Sequence, residues 1–209
     1  MLYISNDLPQ LRYGVAVQKR LIIGISGGSG LAYAVDLLKT LQSTDIELHL
    51  IVTDGAKQVI PTELDITLKD LESLALKTNE ASKVHKDNDL GASIASGSFK
   101  TLGMVIVPCS AGTLAKVAAG MTDNLLSRAA HVTLKERHPL ILVLREAPYS
   151  RPMLKNMLES HDAGATLVPA SPGFYHRPET IDDLLGTITA RTLDLLGIEN
   201  QRAKRWKDE

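Results

Sequence analysis

Apolar and polar positions along the chain form two recurring patterns: short apolar runs, and longer stretches with apolar residues at helical spacing. The first apolar run ends in a Gly/Ser cluster within RLIIGISGGSGLAYAVDLL (20–38), and helical spacing follows it. This order predicts a strand, a tight loop and a helix. Such a loop directs backbone N–H groups and the positive end of the helix dipole at one point, which favours a phosphate. An ordinary strand-to-helix turn without a ligand is the alternative.

The same alternation continues to residue 197. Further strands are predicted for IELHLIV (46–52), GMVIVP (103–108), PLILVLRE (139–146) and ATLVP (165–169). Helices are predicted to begin near Thr53 and for the segments 110–120, 124–137, 151–164 and 180–197. The least regular segment, 77–98, is predicted to be a functional loop with a short helix. The alternation indicates an α/β fold, a Rossmann-like three-layer αβα arrangement with a mostly parallel sheet.

Length and composition indicate one globular domain. The chain has 209 residues, of which 44% are hydrophobic and 22% are charged, enough for one sizeable core. We expect residues 1–19 to be an N-terminal extension and residues 20–209 to form the single domain. The formal net charge of −1 gives no support to nucleic-acid binding.

The number of cysteines and the length of the apolar segments indicate the cellular compartment of the protein. The single cysteine, Cys109, has no partner for an internal disulfide and no companion cysteines for a zinc site. Polar residues interrupt the first 19 residues, which do not resemble a signal peptide. Pro108 and Lys116 break the longest later apolar stretch well short of a membrane span. The sequence therefore predicts a cytoplasmic protein.

Small hydroxyl residues follow the predicted strands, where ligands bind in open α/β sheets. The residues just past the strands are Ser26, Gly27, Gly28, Ser29, Gly30, Thr53, Asp54, Cys109, Ser110, Thr113, Arg145 and Glu146. The glycine spacing lacks the third glycine of a dinucleotide fingerprint, because Tyr33 stands there, and no Gly-Lys-Ser/Thr occurs. A mononucleotide with one phosphate on the loop is the more economical ligand.

Four separate motifs resemble those of the flavin prenyltransferases, the UbiX-type family. They are GISGGSG (24–30), PCSAGTLAKVAAGMTDNLLSRAA (108–130), LKERHPLILVLREAP (134–148) and PGFYHRPETIDDLL (172–185). The similarity extends from about Arg20 to Trp206, and the succession of KER-x-P-L, REAP and P-x-FYH makes it specific. It implies a Rossmann-like fold of the flavoprotein type.

The resemblance implies a prenyltransferase that needs no metal. In that family, dimethylallyl phosphate alkylates reduced FMN first at N5 and then at C6, and the prenylated FMN serves a partner UbiD-type decarboxylase. FMN is then a substrate rather than a retained cofactor. Protein cations have to stabilise the departing monophosphate. The resemblance also implies a homododecamer, and it leaves open whether the pathway is quinone biosynthesis or aromatic-acid breakdown.

The resemblance assigns roles to individual residues. The expected catalytic residues are Ser29, Glu63, Lys135, Arg145, Glu146 and Tyr175. FMN is expected to bind Gly27, Gly28, Ser29, Thr53, Ser110, Thr113, Arg128 and Arg145. The allylic substrate is expected to bind Ser96, Lys135, Arg145, Tyr175, Arg191 and Trp206, the last of them from a neighbouring subunit. Ser29 and Glu63 match a hydroxyl and a carboxylate that relay protons during ring closure, and Glu146 matches a residue near the flavin or Arg145.

Without the family, these residues have ordinary explanations. Glu63 is a typical surface residue, Lys135 belongs to a solvated helix end, and Trp206 in a charged tail is typical of an interface or a frayed terminus. His131 and His138 lie seven residues apart, and two histidines without a third ligand are more often structural. No metal site is predicted.

Two rival functions remain open at this stage. An FMN-dependent decarboxylase of the phosphopantothenoylcysteine type should carry a Pro-x-Met-Asn motif, which the chain lacks. A non-catalytic FMN carrier needs no clamp for a leaving group, so Glu63, Lys135 and Arg145 argue against it. Cys109 has no evident base partner for a nucleophilic role, and a small buried residue is the more usual explanation.

Overall fold

The computed structural model describes residues 19–203. Within this range the strands are β1 (Arg20–Ile25), β2 (Glu47–Val52), β3 (Lys83–His85), β4 (Gly103–Cys109), β5 (Leu140–Leu144) and β6 (Thr166–Pro169). The helices are α1 (Leu31–Leu41), α2 (Asp54–Glu63), α3 (Leu68–Leu76), α4 (Ala111–Ala118), α5 (Leu125–Lys135), α6 (Arg151–Asp162) and α7 (Ile181–Leu195). A 3-10 turn covers Ser93–Ala95. No helix between residues 19 and 203 is long and apolar enough to cross a membrane.

The strands form one sheet, parallel throughout, in the order β3-β2-β1-β4-β5-β6. β4 and β5 are buried along their whole length, which explains their unbroken apolar runs. Alternate side chains enter two cores on opposite faces, with Leu21 and Ile23 in one and Ile22 and Met104 in the other. The predicted Rossmann-like three-layer αβα fold is confirmed.

The order of the strands locates a crevice for ligands. The chain passes from β1 outward to β2 and β3, and then returns to place β4 on the other side of β1. The connections after β1 and β4 therefore diverge, and a crevice opens at the carboxyl ends of these two strands. The glycine loop, Ser26 to Gly30, lies at this crevice.

Segment 77–98 contains more regular secondary structure than the predicted loop with a short helix. It contains β3 as well as a 3-10 turn, and β3 pairs with β2 through three residue pairs, too few to give a recognisable period in the sequence. Helix α3 is also absent from the predicted elements, although Thr67 and Asp70 form a capping box at its start.

The irregular segment continues along α5 from the first turn of that helix to its last. Asp87 accepts a hydrogen bond from the backbone N–H of Leu126 at 3.0 Å. Farther along, Arg128 donates to the carbonyl of Ala95 at 3.3 Å, and the segment then reaches Lys135 at the end of α5. Contacts with α5, rather than a sequence period, therefore order this segment.

Candidate active site

A buried hydroxyl joins the glycine loop to the end of β4. Ser26 Oγ donates to the carbonyl of Pro108 at 2.8 Å and accepts from the backbone N–H of Ser110, also at 2.8 Å. Gly28 consequently lies beside Ser110, because a Cβ at Gly28 would be 3.5 Å from the Ser110 Cα. Ser26 is not among the predicted site residues. Its position directly after β1 could have identified it, because the same position identified the other hydroxyl residues.

The turn after β2 packs directly against the glycine loop. A Cβ at Gly27 would lie 2.9 Å from the carbonyl carbon of Gly55, so a larger residue at Gly27 would force the two turns apart. Thr53 caps α2 by accepting from the backbone N–H of Ala56 at 3.2 Å. Gly27 and Thr53, two expected FMN contacts, therefore lie on adjoining turns.

The first turn of α4 adds two hydroxyls to the crevice. Ser110 Oγ accepts from the backbone N–H of Thr113 at 3.2 Å and donates to Thr113 Oγ1 at 3.1 Å. The N-termini of α2 and α4 thus present Thr53, Ser110 and Thr113, in a setting that suits a phosphate. These residues fit a phosphorylated flavin in the crevice.

The amides at the start of α1 hold a carboxylate, where the sequence predicts a phosphate. Glu63 Oε2 accepts from the backbone N–H groups of Gly30 at 2.8 Å and Leu31 at 2.9 Å. Gly30 has a φ of 103°, a conformation that favours glycine, and α1 has no side-chain cap of its own. The hydroxyls at α2 and α4 are consequently the better placed groups for the FMN phosphate.

Glu63 is held in its ionised form. Desolvation alone raises the pKa of this carboxyl, but the hydrogen bonds from the Ser29 side chain and from the two loop amides outweigh it, and the charge of Arg145 adds to their effect. The net pKa of Glu63 is lower than usual. A carboxylate base and a hydroxyl therefore meet at the crevice, as the predicted Ser29 and Glu63 relay requires.

Arg145 reaches over the glycine loop from the end of β5. Its Nε donates to the carbonyl of Ser29 at 3.3 Å, and its Cγ would lie 3.6 Å from a Cβ at Gly30. Glu146 accepts a hydrogen bond from the backbone N–H of Ala147 at 3.1 Å. The structure thus brings together Ser29, Glu63 and Arg145.

Lys135 and Ser96 form a second group. Lys135 donates to the carboxylate of the neighbouring Glu136, which lowers the pKa of Glu136. Gly97 lies directly against this pair, because a Cβ there would be 2.8 Å from Lys135 Nζ. Ser96 and Ser98 flank Gly97, and their hydroxyls are 2.9 Å apart. Ser96 and Lys135, which are both expected to bind the allylic substrate, therefore lie near each other.

Within one chain, Lys135 and Arg145 lie at opposite ends of the strands: Lys135 at the amino ends, which we call the amino edge of the sheet, and Arg145 at the carboxyl ends, the carboxyl edge. Arg145 follows the carboxyl end of β5, whereas Lys135 ends the helix that leads into the amino end of that strand. The backbone N–H of Met104, at the start of β4, donates to the carbonyl of Pro139 at 2.9 Å, which places this connection at the amino edge. A strand of five residues spans about 16 Å. One chain alone does not bring the two cations to one phosphate.

Tyr175 and Arg191 form a third group, beyond the edge strand β6. Both line a cavity of about 830 Å³ that also includes Pro169 and Ile188. Tyr175 is 82% exposed, so its ring is open to a ligand or to another molecule. Trp206 lies outside the described residues.

The other candidate chemistries find little support. Among the residues that the structure describes, no group of three His, Cys, Asp or Glu side chains is arranged to hold a metal ion. Cys109 is fully buried, and burial raises the pKa of its thiol strongly. A thiol held in its protonated form is a poor nucleophile, so Cys109 is a core residue.

Comparisons with known proteins identify the family of the chain. The profile of the Flavoprotein family matches residues 12–190. The flavin prenyltransferase UbiX of Deinococcus radiodurans is 58% identical over 190 residues, which cover 91% of this chain and 94% of the relative. The flavin prenyltransferase UbiX of Escherichia coli K12 is 46% identical over 181 residues, 86% of this chain and 93% of the relative.

Solved structures give the same result. The crystal structure of AnUbiX (PadA1) in complex with FMN and dimethylallyl pyrophosphate has a TM-score of 0.86 and 37% identity, covering 92% of this chain and 99% of that one. A dodecameric FMN-dependent UbiX-like decarboxylase from Escherichia coli O157:H7 has a TM-score of 0.84 and 41% identity, covering 90% of this chain and 99% of that one. The fold, the crevice and these relatives together show that the chain belongs to the flavin prenyltransferase family of flavoproteins.

Proposed function

We propose that this protein transfers a dimethylallyl group from dimethylallyl phosphate to N5 and C6 of reduced FMN. The observation that carries the proposal is that Glu63 and Arg145 both contact the glycine loop beside Ser29. A base, a hydroxyl and a cation around one flavin crevice are the groups that this transfer requires. The matching relatives named flavin prenyltransferase support the same reaction.

The first bond formed is between N5 of the flavin and C1 of the allyl group. The C1–O bond breaks, the phosphate leaves with the bonding electron pair, and the proton that N5 of the reduced flavin loses is taken up by the departing phosphate. Arg145, held over the loop by its hydrogen bond to the Ser29 carbonyl, is placed to stabilise the developing charge. Because a monophosphate is a poorer leaving group than a diphosphate, further cations or donors have to assist it.

The second bond closes a ring between flavin C6 and C3 of the attached chain. The alkene gains a proton at C2 and C6 loses one, so the step needs a group that accepts a proton and a path that returns one. Glu63 is ionised and hydrogen-bonded to Ser29, and we assign to this pair the relay of both protons.

A second copy of the chain completes the phosphate site. Arg145 lies at the carboxyl edge of the sheet and Lys135 at the amino edge, so the two cations reach one phosphate only when they come from different subunits. The solved relative described as dodecameric supports an assembly of this kind, and a homododecamer is the proposed state. Trp206, Tyr175 and Arg191 are further proposed contributions across subunits.

The delivery of the product is also part of the proposal. The prenylated FMN leaves for a UbiD-type decarboxylase, because a flavin that is consumed and rebuilt as product serves another enzyme. The cytoplasm is the proposed compartment, consistent with the single buried cysteine.

Anaerobic incubation with reduced FMN tests the proposal. Dimethylallyl monophosphate and diphosphate are supplied separately, each with EDTA, and the extracted flavin is analysed by mass spectrometry. We expect a flavin heavier by one five-carbon unit with the monophosphate. FMN that is bound tightly and recovered unmodified with both donors would favour the carrier or the decarboxylase instead.

A further inference from the structure

Four hydrogen-bonded polar side chains cross the face of the sheet that packs against α5. Arg20 Nε donates to Glu47 Oε2 at 3.0 Å, His49 Nε2 lies 2.9 Å from Glu47 Oε1, and His49 Nδ1 lies 2.9 Å from His85 Nε2. Glu47 and His49 are buried. We call Arg20, Glu47, His49 and His85 the histidine network; no residue of it is among the expected site residues.

The histidine network has one consistent arrangement of protons. Burial raises the pKa of Glu47, but the hydrogen bonds from Arg20 and His49 outweigh it, so Glu47 is an ionised acceptor. His49 therefore carries its proton on Nε2 and accepts at Nδ1 from the Nε2–H of His85. Burial lowers the pKa of His49 to about 4, which keeps the ring neutral. A buried network whose facing donors and acceptors are all paired in this way is rigid.

Phe99 connects the histidine network to the turn that contains Ser96. The guanidinium carbon of Arg20 lies 4.4 Å from the centroid of the Phe99 ring, and the His49 ring meets that ring at 80° with centroids 4.8 Å apart. Cation–π and edge-to-face contacts of this kind fix the orientation of an aromatic ring. The backbone N–H of Phe99 donates to the carbonyl of Ser96 at 3.1 Å, which closes the turn from Ser96 to Phe99.

The second residue of this turn, Gly97, packs against the end of the Lys135 side chain. A Cβ at Gly97 would lie 2.8 Å from Lys135 Nζ, so the turn packs directly against the end of the Lys135 side chain, and a displacement of the turn changes the surroundings of the Lys135 ammonium. The Ser96 and Ser98 hydroxyls stand on either side of the contact. A change in the position of Phe99 would therefore change where the Ser96 hydroxyl lies relative to the Lys135 ammonium.

We propose that the histidine network, acting through Phe99, positions Ser96 and Lys135 for the allylic phosphate. The residues of the network touch no reacting atom in this proposal, so they are positioning residues. The inference rests on the proposed function, because that function makes Ser96 and Lys135 the phosphate contacts.

Three variants and one control test the inference. Phe99→Leu and His49→Leu break the connection, and His49→Gln restores an amide that donates to Glu47 and accepts from His85. The control is Leu71→Ala, which opens a cavity in the opposite core and lowers stability without touching the turn. The Kd of dimethylallyl monophosphate is measured by calorimetry on protein loaded with oxidised FMN, whose N5 is not nucleophilic. The KM is measured in the anaerobic reaction.

We expect Phe99→Leu and His49→Leu to raise the Kd and the KM for dimethylallyl monophosphate by about tenfold, while FMN binding changes by less than about twofold. Amide hydrogen exchange in residues 93–99 should become faster in both variants. His49→Gln should recover most of the affinity, and Leu71→Ala should change neither constant. These results together would support the positioning role.

Phe99→Leu and His49→Leu with wild-type Kd and KM would overturn the inference, as would equal losses in Leu71→Ala. Wild-type protein that binds dimethylallyl monophosphate but forms no prenylated flavin would refute the proposed function, while the Kd comparison would still test the network. Wild-type protein that neither binds nor transfers would overturn both.

Discussion

Glu63 ends α2, yet its carboxylate accepts a hydrogen bond at 2.8 Å from the backbone N–H of Gly30 in the glycine loop. The contact ties the second helix to the first and places an ionised carboxylate beside Ser29. It also fills part of the anion site that the loop sequence predicts. The glycine loop therefore binds a carboxylate of the chain itself, the group to which we assign the role of base.

Replacing Glu63 with glutamine should remove the base and keep the shape. We expect Glu63→Gln to slow the formation of prenylated FMN by at least about 100-fold, since a positioned base contributes on that order. FMN affinity should change little, because the glutamine keeps the size of the side chain and leaves the hydroxyls of Thr53, Ser110 and Thr113 in place. The rate is followed by mass spectrometry under anaerobic conditions. Asp65→Asn, an exposed carboxylate two residues later, is the matched control, and an equal loss there would contradict the assignment.

Adding one methyl group at Gly97 should disturb only the proposed phosphate contacts, Ser96 and Lys135. The Cβ of Gly97→Ala would collide with the ends of the Glu136 and Lys135 side chains, so this pair of side chains has to rearrange. We expect the KM for dimethylallyl monophosphate to rise by about three- to tenfold with FMN binding unchanged. Gly91→Ala is the control in the same segment, because a Cβ there would meet only Asp89 Oδ1, at 3.4 Å. An unchanged KM in Gly97→Ala would contradict a role for the packing of Gly97 against Lys135 in binding the phosphate.

Removing the Ser26 hydroxyl should loosen the crevice. Ser26→Ala leaves the N–H of Ser110 without its buried acceptor, at a cost of about 1–3 kcal/mol in unfolding free energy. FMN binding should weaken at the same time, since Gly28 and Ser110 are no longer joined. Denaturation and flavin fluorescence titration measure the two effects. Ser26→Thr, which keeps the hydroxyl, separates the loss of the hydrogen bonds from a change in packing.

Stability should fall as the pH is lowered from about 6.5 towards 4. The unfolded chain protonates His49 near its ordinary pKa of 6.5, whereas burial holds the folded pKa at about 4, so protons favour the unfolded state in this interval. The contribution lost by pH 4.5 is about 2–3 kcal/mol. Protonation of Glu47 acts in the same direction, because its folded pKa is also lowered.

The thermal midpoint between pH 7 and pH 4.5 measures this effect. His49→Gln has no titrating ring, so its midpoint should depend less on pH over the same interval. A variant with the same pH dependence as the wild type would show that another group is responsible.

The sequence was sufficient to predict five of the six strands of the sheet and the crevice. Apolar runs such as 103–108 and 139–146 predicted buried parallel strands, and hydroxyls directly after strands marked Thr53, Ser110 and Thr113. Those signals are local. Strand β3 and the path of segment 77–98 along α5 could not be predicted, because Asp87 and Arg128 order that segment through contacts that leave no period.

The arrangement of the site was only partly predictable. The hydrogen bonds of Glu63 to a loop 33 residues earlier depend on how α2 packs, and no sequence spacing encodes that. The separation of Lys135 from Arg145 could have been predicted from the order of the helices and strands. A helix that precedes a parallel strand ends at the amino edge, and a residue that follows the strand lies at the carboxyl edge.

Co-expression of two inactive variants tests the central claim, that two copies of the chain form one site for prenyl transfer. Lys135→Ala and Arg145→Ala are each expected to bind FMN and to form no prenylated product. In mixed assemblies, about a quarter of the sites would combine an intact Lys135 with an intact Arg145 from different subunits. We predict that the mixture recovers about a quarter of the wild-type rate, measured by the mass of the extracted flavin. A mixture as inactive as either parent would contradict a site shared between subunits.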